Sequence, residues 1–147
     1  MQDKLQKALD FAVAKEREAE AFYKEWSRKA TNPGVKALFA ELAATERGHM
    51  EILSRITRNE MTARNGEPVD DLGLAELLAD VKATAKMGLQ EAMILAMKRE
   101  EVSVALYERL ADFGGEAESL LRALAREERR HKARLEAEYD EQILTEN

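Results

Sequence analysis

The run Leu42-Ala43-Ala44-Thr45-Glu46-Arg47-Gly48-His49-Met50-Glu51-Ile52-Leu53 is helical in composition. Its apolar stripe continues Leu38 and Leu42 into Leu53 and Ile56 at steps of three, four or seven residues. Glu46 and His49 stand inside that stripe, where apolar side chains are expected. Three residues turn a helix by about 300°, so the two polar side chains share one face. A second run, Leu121 to Leu135, repeats the pattern: Leu124-Ala125 is followed by Glu128 and His131 within the stripe Leu121, Leu124, Leu135. These are the two histidines of the chain, and each has a glutamate three residues before it.

Working outward, each of these helices has a partner upstream. A first helix is expected from about Asp3 to Ala30, with Leu5, Leu9, Ala12, Val13, Glu16, Tyr23 and Ala30 on one face. It stops at Thr31-Asn32-Pro33-Gly34, where Asn32 suits an N-cap and Pro33 the first position of the second helix, which runs to roughly Asn59. A third helix is expected from about Leu89 to Asp112, with Met93, Met97, Glu100, Val104, Tyr107 and Ala111 inward. Gly114-Gly115 breaks it, and the fourth follows from about Glu116 to Tyr139. The stretch of about residues 60–88 holds Asn65-Gly66-Glu67-Pro68, Asp70-Asp71 and Gly73, with a short amphipathic helix expected from Leu74 to Val81. It reads as a crossover, since neither hairpin alone is a complete bundle. The expectation is an all-α protein: one domain over residues 1–147, a four-helix bundle of two helical hairpins with a long crossover between helices 2 and 3. The hairpins look duplicated. Glu16 precedes Tyr23 by seven residues and Glu46 by 30; Glu100 precedes Tyr107 by seven and Glu128 by 28.

Composition narrows the function. The chain has 147 residues, 45% of them hydrophobic, which is enough for a core. Its 29 acids against 23 bases give a net charge of −6, which disfavours a nucleic-acid binder. Arg122, Arg126, Arg129, Arg130, Lys132 and Arg134 alternate with Glu127, Glu136 and Glu138 and read as a solvated face. The absence of cysteine removes disulfides, thiolate metal sites and a cysteine nucleophile. No run of 18 apolar residues suggests a membrane span. Met1-Gln2-Asp3-Lys4 lacks the apolar core of a signal peptide, so a cytoplasmic location is expected.

Glu16, Glu46, Glu100 and Glu128 with His49 and His131 thus point into one interior. Glu18 and Glu20 rival Glu16, Glu101 rivals Glu100, and Glu127 rivals Glu128; the seven-residue step to Tyr107 and the match between hairpins favour the first set. Four buried carboxylates would repel and take up protons unless cations neutralise them. Two divalent ions cancel four carboxylates. Oxygen and imidazole ligands without sulfur suit iron, manganese or zinc, and six groups are too many for one zinc. Tyr23 and Tyr107 either hydrogen-bond a carboxylate on a neighbouring helix or pack in the core. Met93 and Met97 read as core filler.

With these residues in place, the chain resembles the ferritin-like superfamily, and within it the rubrerythrin-type diiron domain. Glu16 to Phe22-Tyr23, Leu38-Phe39 to Leu42-Ala43 with Glu46-Arg47-Gly48-His49, Glu100 to Leu106-Tyr107, and Leu124-Ala125 with Glu128-Arg129-Arg130-His131 carry the resemblance. It implies two iron ions, with Glu16 and Glu100 as terminal or bridging ligands, Glu46 and Glu128 as bridging ligands, and His49 and His131 as nitrogen ligands. Rubrerythrins typically carry a further carboxylate three residues beyond the third-helix glutamate; Ser103 stands there instead. They also usually append a cysteine-ligated rubredoxin domain, so an external electron donor, such as a separate rubredoxin-like protein, is expected. The resemblance further implies a homodimer. The expected function is a diiron oxidoreductase that reacts ferrous iron with hydrogen peroxide or oxygen, with Glu46, Glu128, Tyr23 and Tyr107 as its catalytic residues. The alternatives are a ferroxidase feeding iron storage or transfer, and a metal-free interaction module.

Overall fold

The computed structural model describes residues 4–56 and 87–144. They form four long helices: α1 (Lys4–Lys29), α2 (Pro33–Arg55), α3 (Leu89–Ala111) and α4 (Glu118–Tyr139). A single π-helical stretch, Asp140–Leu144, follows α4. Among the described residues there is no strand. The expected helix Leu74–Val81 and the rest of the segment 57–86 lie outside the described residues. No described helix is long and apolar enough to cross a membrane.

The joins follow their local chemistry. Asn32 adopts an extended conformation and its side chain accepts a hydrogen bond from the Val35 N–H at 3.1 Å, with Pro33 opening α2. The Asn32 amide also donates to the Gln142 side chain at 2.7 Å, which ties this cap to the π-helical stretch after α4. At the other tight join, Gly114 and Gly115 have φ of 78° and 86°, values that side chains with a Cβ rarely adopt. Phe113 and Ala117 are buried on either side of this turn.

Helix α2 ends at Arg55, about four residues before the expected Asn59. Ile56 leaves the helix with ψ near 129° and buries its side chain in the core. An apolar residue gains more by turning inward here than by continuing a helix toward solvent. Helix α4 begins at Glu118, two residues later than expected, because Glu116 and Ala117 form a turn after the glycines.

The strongest packing is within hairpins, α1 on α2 and α3 on α4; across hairpins α1 meets α3 and α2 meets α4. The apolar core is divided in two. One cluster gathers Leu5, Leu9, Leu53, Leu106, Leu110, Leu121 and Leu124; the other gathers Phe22, Trp26, Val35, Phe39, Leu42, Met93 and Leu135. Between them lie the buried polar residues. The expected stripes are buried along all four helices, with Val13 and Met97 only partly so.

Two substitutions test this account by urea denaturation. Asn32→Ala removes the α2 cap and is expected to cost about 1 kcal/mol. Leu121→Ala empties a fully buried position and is expected to cost about 2–5 kcal/mol.

Candidate metal centre

Six polar residues are buried at the middle of the bundle: Glu16 on α1, Glu46 and His49 on α2, Glu100 on α3, and Glu128 and His131 on α4. None is more than 6% exposed. These are the six residues singled out in the sequence, and the bundle brings all of them together. Glu18 and Glu101 are exposed, and Glu20 is half-buried in an ion pair with Lys24.

The six form two overlapping sets. Glu16, Glu46, His49 and Glu128 offer ligand atoms that lie within 4.8 Å of one another, and so do Glu46, Glu100, Glu128 and His131. Glu46 and Glu128 belong to both. Each histidine turns Nδ1 inward. His49 Nδ1 lies 3.1 Å from Glu128 Oε1, 3.7 Å from Glu46 Oε2 and 3.8 Å from Glu16 Oε2. His131 Nδ1 lies 2.9 Å from Glu46 Oε1, 3.2 Å from Glu128 Oε1 and 3.7 Å from Glu100 Oε2. Glu46 therefore directs one oxygen toward each histidine. The two imidazole rings stack nearly parallel, with centroids 5.9 Å apart.

The tyrosines cross between hairpins. Tyr23 on α1 donates to Glu100 Oε1 on α3 at 2.7 Å, and Tyr107 on α3 donates to Glu16 Oε1 on α1. Of the two readings open for them, the hydrogen-bonding one holds, although both rings also pack in the apolar clusters. Each bond occupies one carboxylate oxygen. The other oxygen, Glu16 Oε2 or Glu100 Oε2, is buried without a hydrogen-bond partner, as are His49 Nδ1 and Glu128 Oε1. An unsatisfied buried polar atom costs about 1–3 kcal/mol. Four such atoms around one spot are poor hydrogen bonding but good cation ligation: they are all Lewis bases, and all face the two four-residue sets. The donor set fits a pair of divalent ions.

Without metal, protons must neutralise the cluster. Burial, followed by repulsion from Glu128 and Glu46, pushes the Glu16 and Glu100 carboxyls well above the usual carboxylate range. Burial also acts to lower the histidines, but close contact with the surrounding carboxylates and their charge win. His49 is raised to about 10, chiefly by Glu128 and Glu46, and His131 to about 12, chiefly by Glu100, Glu128 and Glu46. For Glu46 burial acts upward, yet the contacts with Glu16, His131 and His49 hold it below the carboxylate range. Burial and the neighbouring carboxylates raise both Tyr23 and Tyr107, so each keeps its proton and remains a donor.

A narrow pocket leads to the cluster between α1 and α3. Glu18 and Lys98 are exposed at its outer end; Ala19, Phe22, Val102 and Ser103 line it; Glu46, Glu100 and Glu128 close its inner end. Its volume of about 30 Å³ admits molecules of the size of one or two waters. Ser103, three residues beyond Glu100, therefore faces this pocket where a carboxylate was expected by resemblance.

Sequence reasoning set Glu127 aside as a rival of Glu128. The structure gives it a separate place. Its carboxylate is 40% exposed and lies outside the cluster, 2.9 Å from Nε2 of His49. Only its position beside Glu128 could have signalled this.

The rubrerythrin family model matches residues 7–139. The chain belongs to the rubrerythrin family. It is also similar in structure to a Thermotoga maritima protein described as ferritin-like and diiron-carboxylate, with a TM-score of 0.68 and 26% sequence identity, over 95% of this chain and 96% of that one. None of the curated proteins compared with it matches. The four-helix arrangement, with Glu-x-x-His on α2 and α4 and one buried glutamate on each of α1 and α3, is the general ligand pattern of ferritin-like dimetal carboxylate bundles.

The protonation pattern fixes a pH dependence. His49 and His131 have folded values above their ordinary 6.5, so their stabilisation is complete below 6.5 and is lost as pH rises toward about 10 for His49 and about 12 for His131. Glu16 and Glu100, also raised, act in the same direction from 4.5 upward. Calorimetry of the chelator-treated protein is expected to show Tm falling from pH 6.5 to pH 10, with a much flatter profile after a divalent ion is added. Loading at pH 7 is expected to release protons, measurable by pH-stat titration. A chelated protein with a flat profile would contradict this charge assignment.

Proposed function

We propose that this rubrerythrin-family protein is a diiron-carboxylate oxidoreductase that reduces hydrogen peroxide, with oxygen as the competing oxidant. The observation that carries the reading is the pair of overlapping four-residue sets, sharing Glu46 and Glu128, whose inward atoms lack hydrogen-bond partners. In this reading Glu16 and His49 would hold one iron ion, Glu100 and His131 would hold the other, and Glu46 and Glu128, which belong to both sets, would serve both. Iron is preferred to manganese or zinc because the Thermotoga maritima protein that this chain resembles is described as a diiron-carboxylate protein. When bound, two ferrous ions supply the two electrons that, with two protons, convert one hydrogen peroxide to two waters and leave both ions ferric.

The chain's own residues do the rest. Glu46 on α2 and Glu128 on α4 present carboxylates from opposite hairpins to both ligand sets. Tyr23 and Tyr107 each keep a proton on the hydroxyl and orient Glu100 and Glu16, so that Oε2 of each carboxylate faces inward. The pocket lined by Ala19, Phe22, Val102 and Ser103 admits a small uncharged oxidant and excludes larger ones. Because the site is buried, electrons would return from a donor acting at the surface, such as a rubredoxin-like protein. We infer a cytoplasmic homodimer as the working form. The unsatisfied buried bases weigh against a metal-free interaction module.

Elemental analysis of protein purified without added metal, followed by stopped-flow mixing of the ferrous form with peroxide or oxygen, tests the reading. The expected result is about two irons per chain and faster oxidation by peroxide. Glu46→Ala or Glu128→Ala is expected to lower iron content below one per chain and slow the reaction by about 100-fold. Metal-free protein that reduces peroxide at the same rate would end it. Faster reaction with oxygen, together with a cage-sized assembly on size-exclusion chromatography, would favour the ferroxidase and storage alternative instead.

A further inference from the structure

The two halves of the centre carry matching ligands, Glu16 with His49 and Glu100 with His131, but a contact outside the ligand set differs between them. We propose that Glu127 is a positioning residue that makes the half holding His49 the tighter of two unequal metal positions. The inference rests on the metal-binding reading above.

The argument begins with the repeat. Leu42-Ala43, Glu46 and His49 correspond to Leu124-Ala125, Glu128 and His131, so Thr45 corresponds to Glu127. Each histidine presents Nδ1 to the cluster, which leaves Nε2 pointing away. For His49, Nε2 meets Glu127 Oε2 at 2.9 Å, across the gap between α2 and α4. Among the described residues Glu127 has no other ion-pair partner. For His131, the symmetry-related residue is Thr45, whose hydroxyl instead donates to the Glu41 carbonyl of its own helix at 3.1 Å. Threonine is too short to span the gap that glutamate spans. Among the described residues Nε2 of His131 has no hydrogen-bond partner, and its ring is the more exposed of the two.

A carboxylate on Nε2 has three effects. It keeps the ring proton on Nε2, so the Nδ1 lone pair is free for a cation. It holds the ring plane against rotation. It makes Nδ1 a stronger base toward the ion. The half with Glu16 and His49 has all three, and the half with Glu100 and His131 has none. The first ion therefore enters beside His49, and the second completes the pair beside His131.

Zinc titration of the metal-free full-length chain, followed with a competing chelator, tests this without any turnover. The wild type is expected to bind two ions in unequal steps, about 10-fold or more apart. Glu127→Ala is expected to weaken the tighter step by about 10- to 100-fold and leave the other unchanged. Glu127→Gln, which keeps an acceptor but not the charge, is expected to fall between. In the zinc-loaded protein, nitrogen-15 NMR is expected to show a slowly exchanging Nε2 proton on His49 that is lost in Glu127→Ala. Equal steps in the wild type, or an unchanged tighter step in Glu127→Ala, would overturn the proposal while leaving the metal centre intact. A wild type that binds no zinc, cobalt or iron would instead overturn the metal-binding reading itself.

Discussion

Four glutamates cannot be buried together as bare anions, and the rest of this structure is organised around that constraint. At 1–2% exposure, Glu16, Glu46, Glu100 and Glu128 have lost nearly all contact with water. Their mutual repulsion in a poorly screened interior adds to the loss of hydration. Something positive must stand among them. In the metal-free chain it is a set of protons, on the two histidines and on the raised carboxyls of Glu16 and Glu100. Protons neutralise the layer but leave Glu16 Oε2, His49 Nδ1, Glu100 Oε2 and Glu128 Oε1 without hydrogen-bond partners. A pair of dications does both tasks, which is why the geometry reads as a metal centre and not as an internal salt-bridge network.

The same layer joins the two hairpins. Helices pack closely within each hairpin and meet across hairpins along fewer contacts. Much of the polar layer runs between hairpins: Tyr23 to Glu100, Tyr107 to Glu16, His49 to Glu127 and Glu128, and His131 to Glu46. The two apolar clusters lie on either side of it, each sealing one face of the layer with a tyrosine that also donates a hydrogen bond into it. Membership of the rubrerythrin family and likeness to a diiron-carboxylate structure agree with this arrangement, in which a duplicated hairpin supplies both halves of one site.

Much of the site was legible because helical periodicity is local. A glutamate or histidine replacing leucine at Glu46, His49, Glu128 or His131 marks an inward-facing polar group without knowledge of any neighbour. The same reasoning chose Glu16 over Glu18 and Glu20, and Glu100 over Glu101. It was weaker at helix ends. Ile56 left α2 early because a core contact from a distant helix outweighed helix continuation, and the π-helical stretch after Tyr139 had no marker in the stripe. It also under-counted the core: Phe22, Trp26, Phe39, Leu106 and Leu110 are buried on flanks of the stripes, since a helix inside a bundle touches more than one neighbour.

The sequence by itself determined which residue types line the interior, the repeated Glu-x-x-His pattern, and the exclusion of thiolate ligands, because these depend only on composition and on the 3.6-residue turn. Tertiary structure decided which oxygen of each carboxylate is free, that the tyrosines cross between hairpins, that Ser103 faces a pocket, and that Glu127 stands behind His49 while Thr45 does not stand behind His131. Those outcomes depend on distances between helices far apart in sequence. Side-chain length measured across an interhelical gap sets them, and no pattern along a single helix encodes that gap.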